Sequence, residues 1–164
     1  LYFCLIIRTD ELDKIKILLI EDNRLLREGI AAMLKKQNDM QVVATVGNGE
    51  NILSLVEKIK PVVALIDLGL RSQNSLEVVK LIKDNFAETK IVVMDLIPTQ
   101  EDVYEFVQAG VSGFILKDAN VNDFYKTIRL VSQGLKVLPP DLTNSLFSQI
   151  IEYAIKTVEP SVII

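Results

Sequence analysis

Apolar positions recur along residues 14–134 with two different periods. Short, mostly apolar runs occupy residues 15–20, 40–46, 62–67, 90–94 and 112–116, each of strand length. Between them the spacing becomes helical: Leu26, Ile30, Met33 and Leu34; Ile52, Leu53, Val56 and Ile59; Val78, Val79, Ile82 and Phe86; Val103, Phe106 and Val107; Phe124, Ile128 and Val131. Punctuation falls between the runs. Asp22 or Asn23 is placed to cap the first helix, Asn48-Gly49 reads as a turn, and residues 68–75 form a polar loop. Pro98 and Thr99 open a short helix that Gly110 closes, and Gly134 ends the fifth helix. Five strands alternating with five helices predict an α/β fold of three layers (α/β/α). Its five-stranded sheet should be parallel, covered on both faces and joined by right-handed crossovers.

The run 62–67 stands apart from the others. Val62-Val63-Ala64-Leu65-Ile66 is unbroken by any polar residue, lies between Pro61 and Gly69, and ends in Asp67. Such a run reads as a strand buried on both faces, which delivers its terminal acid to the carboxyl edge of the sheet, where ligands bind in open α/β folds. Beyond Gly134, residues 135–138 and Pro139-Pro140 form a linker. A helical stretch carrying Leu146, Phe147, Ile150, Ile151 and Ala154 follows, whose apolar face must pack on the domain, on a second copy or on another neighbour. The expected division is an N-terminal extension (1–13), one domain (14–134), and a linker with a C-terminal amphipathic helix (135–164).

Composition narrows the function. With 164 residues and 49% apolar content, one core of ordinary size is expected. The net charge is −4 and no dense basic patch exists, so this chain is not expected to bind DNA by itself. There is no histidine, which excludes imidazole metal sites and autophosphorylation on His, and any phosphohistidine must belong to a partner. The lone Cys4 forms no internal disulfide, in keeping with a cytoplasmic location, and residues 1–7 are too short to span a membrane.

Four of the five strands end in charge: Glu21 and Asp22, Asp67, Asp95 and Lys117. In a parallel sheet these ends share one edge. Each acid could merely cap the helix that follows it, but that reading leaves Lys117 at the same level unexplained. The other reading is one pocket, whose crowded carboxylates need a hard cation such as Mg2+ as counter-charge.

These residues, in this order, carry a resemblance. Residues 14–134 resemble a receiver domain of a bacterial two-component response regulator, through Glu21-Asp22 after the first strand, Asp67 after the third and Lys117 after the fifth. The stretch Gly113-Phe114-Ile115-Leu116-Lys117-Asp118-Ala119, with Gln133-Gly134 and the proline linker, resembles the NarL/FixJ (LuxR-type) subgroup. The resemblance implies a flavodoxin-like (CheY-like) fold. It also implies phosphorylation of Asp67 by a sensor histidine kinase or a small phosphodonor, and Mg2+ held by Glu21, Asp22, Asp67 and the Gly69 carbonyl. Lys117 would bind a phosphoryl oxygen, and Phe114 would be a switch aromatic or simply a core residue. A homodimer and transcriptional output through a DNA-binding domain outside these residues are implied as well.

The sequence departs from the family at Asp95, where a Ser or Thr is usual, and at Arg71 and Ser75 in the loop after Asp67. A carboxylate at 95 cannot donate a hydrogen bond to a phosphoryl group. Two unit charges 4 Å apart repel by roughly 4 kcal/mol at an effective dielectric near 20, so phosphorylation is expected to be weakened unless Asp95 is protonated, turned away or paired, most simply with Lys117. Two further functions stay open. One is a phosphorylation-independent interaction module of the same fold, favoured by Asp95. The other is a Mg2+-dependent phosphatase, which Gly69 disfavours because it stands where a second acid would be needed. In the leading reading the chain is a signalling domain and not a turnover enzyme.

Overall fold

The apolar runs fold into five strands because each carries side chains that a two-sided sheet can bury. The computed structural model describes residues 14–47, 51–71, 73–97 and 103–158. Its strands are β1 (Ile15–Ile20), β2 (Met40–Val46), β3 (Val63–Asp67), β4 (Lys90–Leu96) and β5 (Gly113–Leu116), all parallel in the order β2-β1-β3-β4-β5. The helices are α1 (Arg24–Lys35), α2 (Ile52–Ile59), α3 (Ser75–Asn85), α4 (Val103–Gln108), α5 (Val121–Ser132) and α6 (Pro140–Thr157). The expected three-layer fold is therefore present. The turn at Asn48-Gly49 and the helix start at Pro98 and Thr99 lie outside the described residues.

Alternation along the strands divides the core in two. Leu18, Ile20, Ala64, Ile66, Ile91 and Val93 face α2, α3 and α4, whereas Ile17, Leu19, Val63, Leu65 and Val92 face α1 and α5. All five residues of β3 are buried, as expected for the central strand. The alternation fails in one place. Met94 and Leu96 are two residues apart, yet they pack on opposite sides of the sheet. Between them Asp95 has φ +68°, in the left-handed region, and the register with β5 shifts there. The apolar spacing suggested a strand ending at residue 94, but β4 continues through this kink because Leu96 re-enters the core.

Asparagine caps the helices. Asn23, Asn51, Asn74 and Asn120 accept backbone N–H groups of α1, α2, α3 and α5 through their side chains. Consequently the acids that end β1 and β3 are not consumed as caps of the helices that follow them. This removes the plain structural explanation for Asp22 and Asp67.

The linker is part of the packing. Phe114 N–H donates to the Val137 carbonyl at 3.1 Å and Val137 N–H donates to the Ser112 carbonyl at 2.9 Å, so the linker lies along the outer edge of β5. Helix α6 then turns back onto α4. Leu142 is fully buried, Leu138 and Leu146 pack against the same core, and the Tyr104 and Tyr153 rings lie with centroids 4.4 Å apart. Tyr104 N–H also donates to Gln149 Oε1 at 2.8 Å.

Burial of Leu142 predicts that Leu142→Ala lowers the unfolding free energy in urea by about 2–5 kcal/mol. A loss under about 0.5 kcal/mol, the scale of a surface substitution, would show that α6 is not docked.

Candidate functional site

The parallel sheet brings the ends of β1, β3, β4 and β5 to one edge. Glu21 follows β1 and is 2% exposed, and Asp67 closes β3 and is 6% exposed. Both carboxyl groups have thus left water on adjacent strands. Glu21 Oε1 accepts the Asn23 N–H at 2.7 Å, whereas Glu21 Oε2 is buried and receives no donor. A buried carboxylate oxygen in that state is open to a hydrogen-bond donor or a cation.

Asp67 carries the consequence. Burial, then the charges of Glu21 and Asp95, push its carboxyl up to about 7, against a partial opposing effect from the Gly69 backbone N–H. Gly69 also sits close to the carboxylate, and a Cβ there would lie a tight 3.1 Å from Asp67 Oδ2. The buried Ser75 hydroxyl donates to the carbonyls of Asp67 at 2.8 Å and Leu68 at 3.0 Å, which ties the loop to the start of α3.

Across the edge, Lys117 Nζ lies 3.6 Å from Asp95 Oδ2, the pairing that the sequence suggested. Both side chains are open to solvent, so the pair contributes no more than about 1 kcal/mol and is readily exchanged. Phe114 is buried in the core on the α4 side.

The acidic pair is not symmetrical. Asp22 is half-buried and its Oδ2 accepts the Arg71 N–H at 2.7 Å. Arg71 therefore meets the acids through its backbone. Among the described residues no three Asp, Glu, Cys or His side chains converge on one metal position, so the expected cage of Glu21, Asp22 and Asp67 is not preassembled. The residues nevertheless suit a hard cation of the Mg2+ type, which binds through one or two carboxylates and retains several waters. The unpartnered Oε2 of Glu21 and the raised carboxyl of Asp67 are the groups such an ion would satisfy.

One contributor escaped the sequence reading. Arg27 Nη1 donates to the carbonyls of Glu21 at 2.6 Å and Asp22 at 3.3 Å, bracing the backbone that carries both acids. A cation in the first turn of a helix opposes the helix dipole, and that misplaced charge was the available signal.

The chain is similar to known proteins. Residues 17–129 match the family model described as the response regulator receiver domain. The chain is 29% identical over 135 residues to the transcriptional regulatory protein LnrK of Bacillus subtilis, covering 82% of this chain and 61% of the relative. It is 33% identical over 137 residues to the oxygen regulatory protein NreC of Staphylococcus aureus, covering 83% and 63%. The chain thus spans about three fifths of these relatives. Among solved structures, the signal receiver domain of the putative response regulator NarL from Mycobacterium tuberculosis superposes with a TM-score of 0.66 at 24% identity, over 74% of this chain and 98% of that one. Nothing in these comparisons favours the phosphorylation-independent alternative. Among the described residues no helix is long and apolar enough to cross a membrane.

The raised Asp67 carboxyl fixes a sign for stability. Its folded pKa of about 7 exceeds the ordinary 3.8, so the native state binds the extra proton between these values. Stability from this group is full below the lower value and is lost as pH rises through the upper one. In EDTA, Asp67→Asn should stabilise the fold at pH 8 by about 1–3 kcal/mol, with the gain vanishing near pH 4. Urea titrations across pH check this. An unchanged or reduced stability at pH 8 would contradict the crowding.

Proposed function

The chain belongs to the response regulator receiver domain family, in its NarL-type branch, and we propose that it works by accepting a phosphoryl group on Asp67. The observation that carries the proposal is a nucleophilic carboxylate buried beside an unsatisfied Glu21 oxygen, with an exposed ammonium group, Lys117, across the same edge.

Asp67 in its ionised form attacks the phosphorus of a donor. One carboxylate oxygen forms the acyl–phosphate bond while the donor's phosphorus–nitrogen or phosphorus–oxygen bond breaks, and the leaving group keeps that electron pair. With no histidine in this chain, a nitrogen-bound phosphoryl donor is a phosphohistidine on a sensor kinase. A Mg2+ ion, when bound, neutralises the developing phosphoryl charge. Glu21 and Asp67 are the carboxylates that would hold it first, with Asp22 and the Gly69 carbonyl as further oxygen donors. Arg27 holds the main chain of the acidic pair in place. Lys117 leaves the carboxylate of Asp95 to bind a phosphoryl oxygen, which converts an exposed pair into a charge-assisted contact at the reacting group.

Asp95 tunes this step. Its charge contributes to raising the Asp67 carboxyl and would face the incoming phosphoryl group. Loss of Lys117 from Asp95 reaches Phe114 through β5 and the linker through the Phe114–Val137 hydrogen bond, which joins the site to α6. This route is the switch we assign to Asp95 and Phe114. The domain is a signalling module of the cytoplasm and catalyses only its own modification. Control of transcription, carried by its relatives' names, would come through DNA contacts made elsewhere in a longer protein.

Incubation with acetyl phosphate and Mg2+ should add one phosphoryl group by intact mass, with no adduct in EDTA and none on Asp67→Asn. Asp95→Asn, which tolerates the left-handed backbone at this position, should raise the initial rate by about 10-fold, the effect of relieving about 1.4 kcal/mol of repulsion. A wild-type chain and an Asp95→Asn variant that both stay unlabelled would overturn the phosphoacceptor role.

A further inference from the structure

Helix α6 has two apolar faces, and among the described residues only one of them is packed. Leu142, Leu146, Gln149 and Tyr153 recur at helical spacing and turn towards α4 and the core. Phe147, Ile150, Ile151, Ala154, Ile155 and Val158 recur on nearly the opposite side and point to solvent. Phe147 is 63% exposed, Ile151 58%, Ile155 69% and Val158 73%. A surface helix ordinarily carries one apolar stripe, so a second one marks a surface intended for burial.

From this we infer that the outward face of α6 is a self-association surface, on which the same face of a second copy packs about a two-fold axis. Three features select a second copy. Phe147, Ile151, Ala154 and Val158 follow the 4-3-4 spacing of a helix–helix seam, with Ile150 and Ile155 flanking it. The stripe contains no charged residue, and Glu152 and Lys156 beside it pair with each other at 3.0 Å along the helix, so two copies bring no charge together within the stripe. The exposed apolar side chains offer roughly 500 Å2 per chain, or about 1,000 Å2 in a pair, which reaches the size at which specific interfaces begin. The inference does not depend on phosphotransfer. It rests on the docking of α6 alone, which leaves this stripe outward whatever Asp67 does.

Sedimentation of the full chain tests it directly. Dimers should dominate at concentrations up to roughly 200 µM, and Ile151→Glu and Ile155→Glu should each raise the dissociation constant by about 100-fold or more. Both positions are exposed, so far-ultraviolet circular dichroism should be unchanged. Val121→Glu, at an exposed position at the start of α5, should leave the dimer intact. A wild-type chain that stays monomeric throughout this range overturns the inference and leaves the stripe to a different protein or to residues 1–13. A dimer that survives both α6 substitutions, or that Val121→Glu abolishes, overturns it equally.

Discussion

Two carboxyl groups on neighbouring strands, those of Glu21 and Asp67, have been taken out of water, and the whole carboxyl edge of the sheet answers to that crowding. Among the described residues neither carboxyl forms an ion pair. Lys117, on the same edge, is occupied with Asp95, and the guanidinium of Arg27 binds the main-chain carbonyls of the acidic pair. What remains is a buried oxygen of Glu21 without a donor and an Asp67 carboxyl raised to about 7. A site left short of positive charge is suited to a transient cation and to chemistry that brings one with it.

The fold is what makes this shortage possible. A parallel sheet ends every strand at the same edge, so acids distant in sequence meet without any loop having to carry them there. Asparagine caps on α1 and α3 release the neighbouring aspartates from helix capping. Gly69 keeps a Cβ away from the Asp67 carboxylate, and Ser75 closes the loop behind it. At the far side of the sheet, the linker pairs with the edge of β5 and α6 docks on α4.

How much of this was legible in the chain depended on whether the feature was local. The buried strand β3, its terminal Asp67, the clustering of charge at strand ends and the Asp95–Lys117 pair all follow from periodicity and topology. Asp95 in the left-handed region was not readable, since it arises only because Leu96 must return to the core after Met94. The tie of Asp22 to the loop after Asp67 was hidden for a related reason. Its Oδ2 accepts the backbone N–H of Arg71, 49 residues away, and a backbone donor leaves no mark in a sequence. The terminal helix showed its apolar residues plainly, but which of them face α4 and which face solvent is decided by Leu142 and Tyr153 finding the core and Tyr104.

The central claim is that Asp67 is a proton-holding nucleophile whose charge is released by a cation. Carboxyl carbon NMR of Asp67, titrated against pH in EDTA and again in excess Mg2+, tests it most directly. The account predicts an inflection near 7 without metal that falls by at least about one unit when Mg2+ is present. An inflection at the ordinary carboxylate value in EDTA, unmoved by Mg2+, would contradict it.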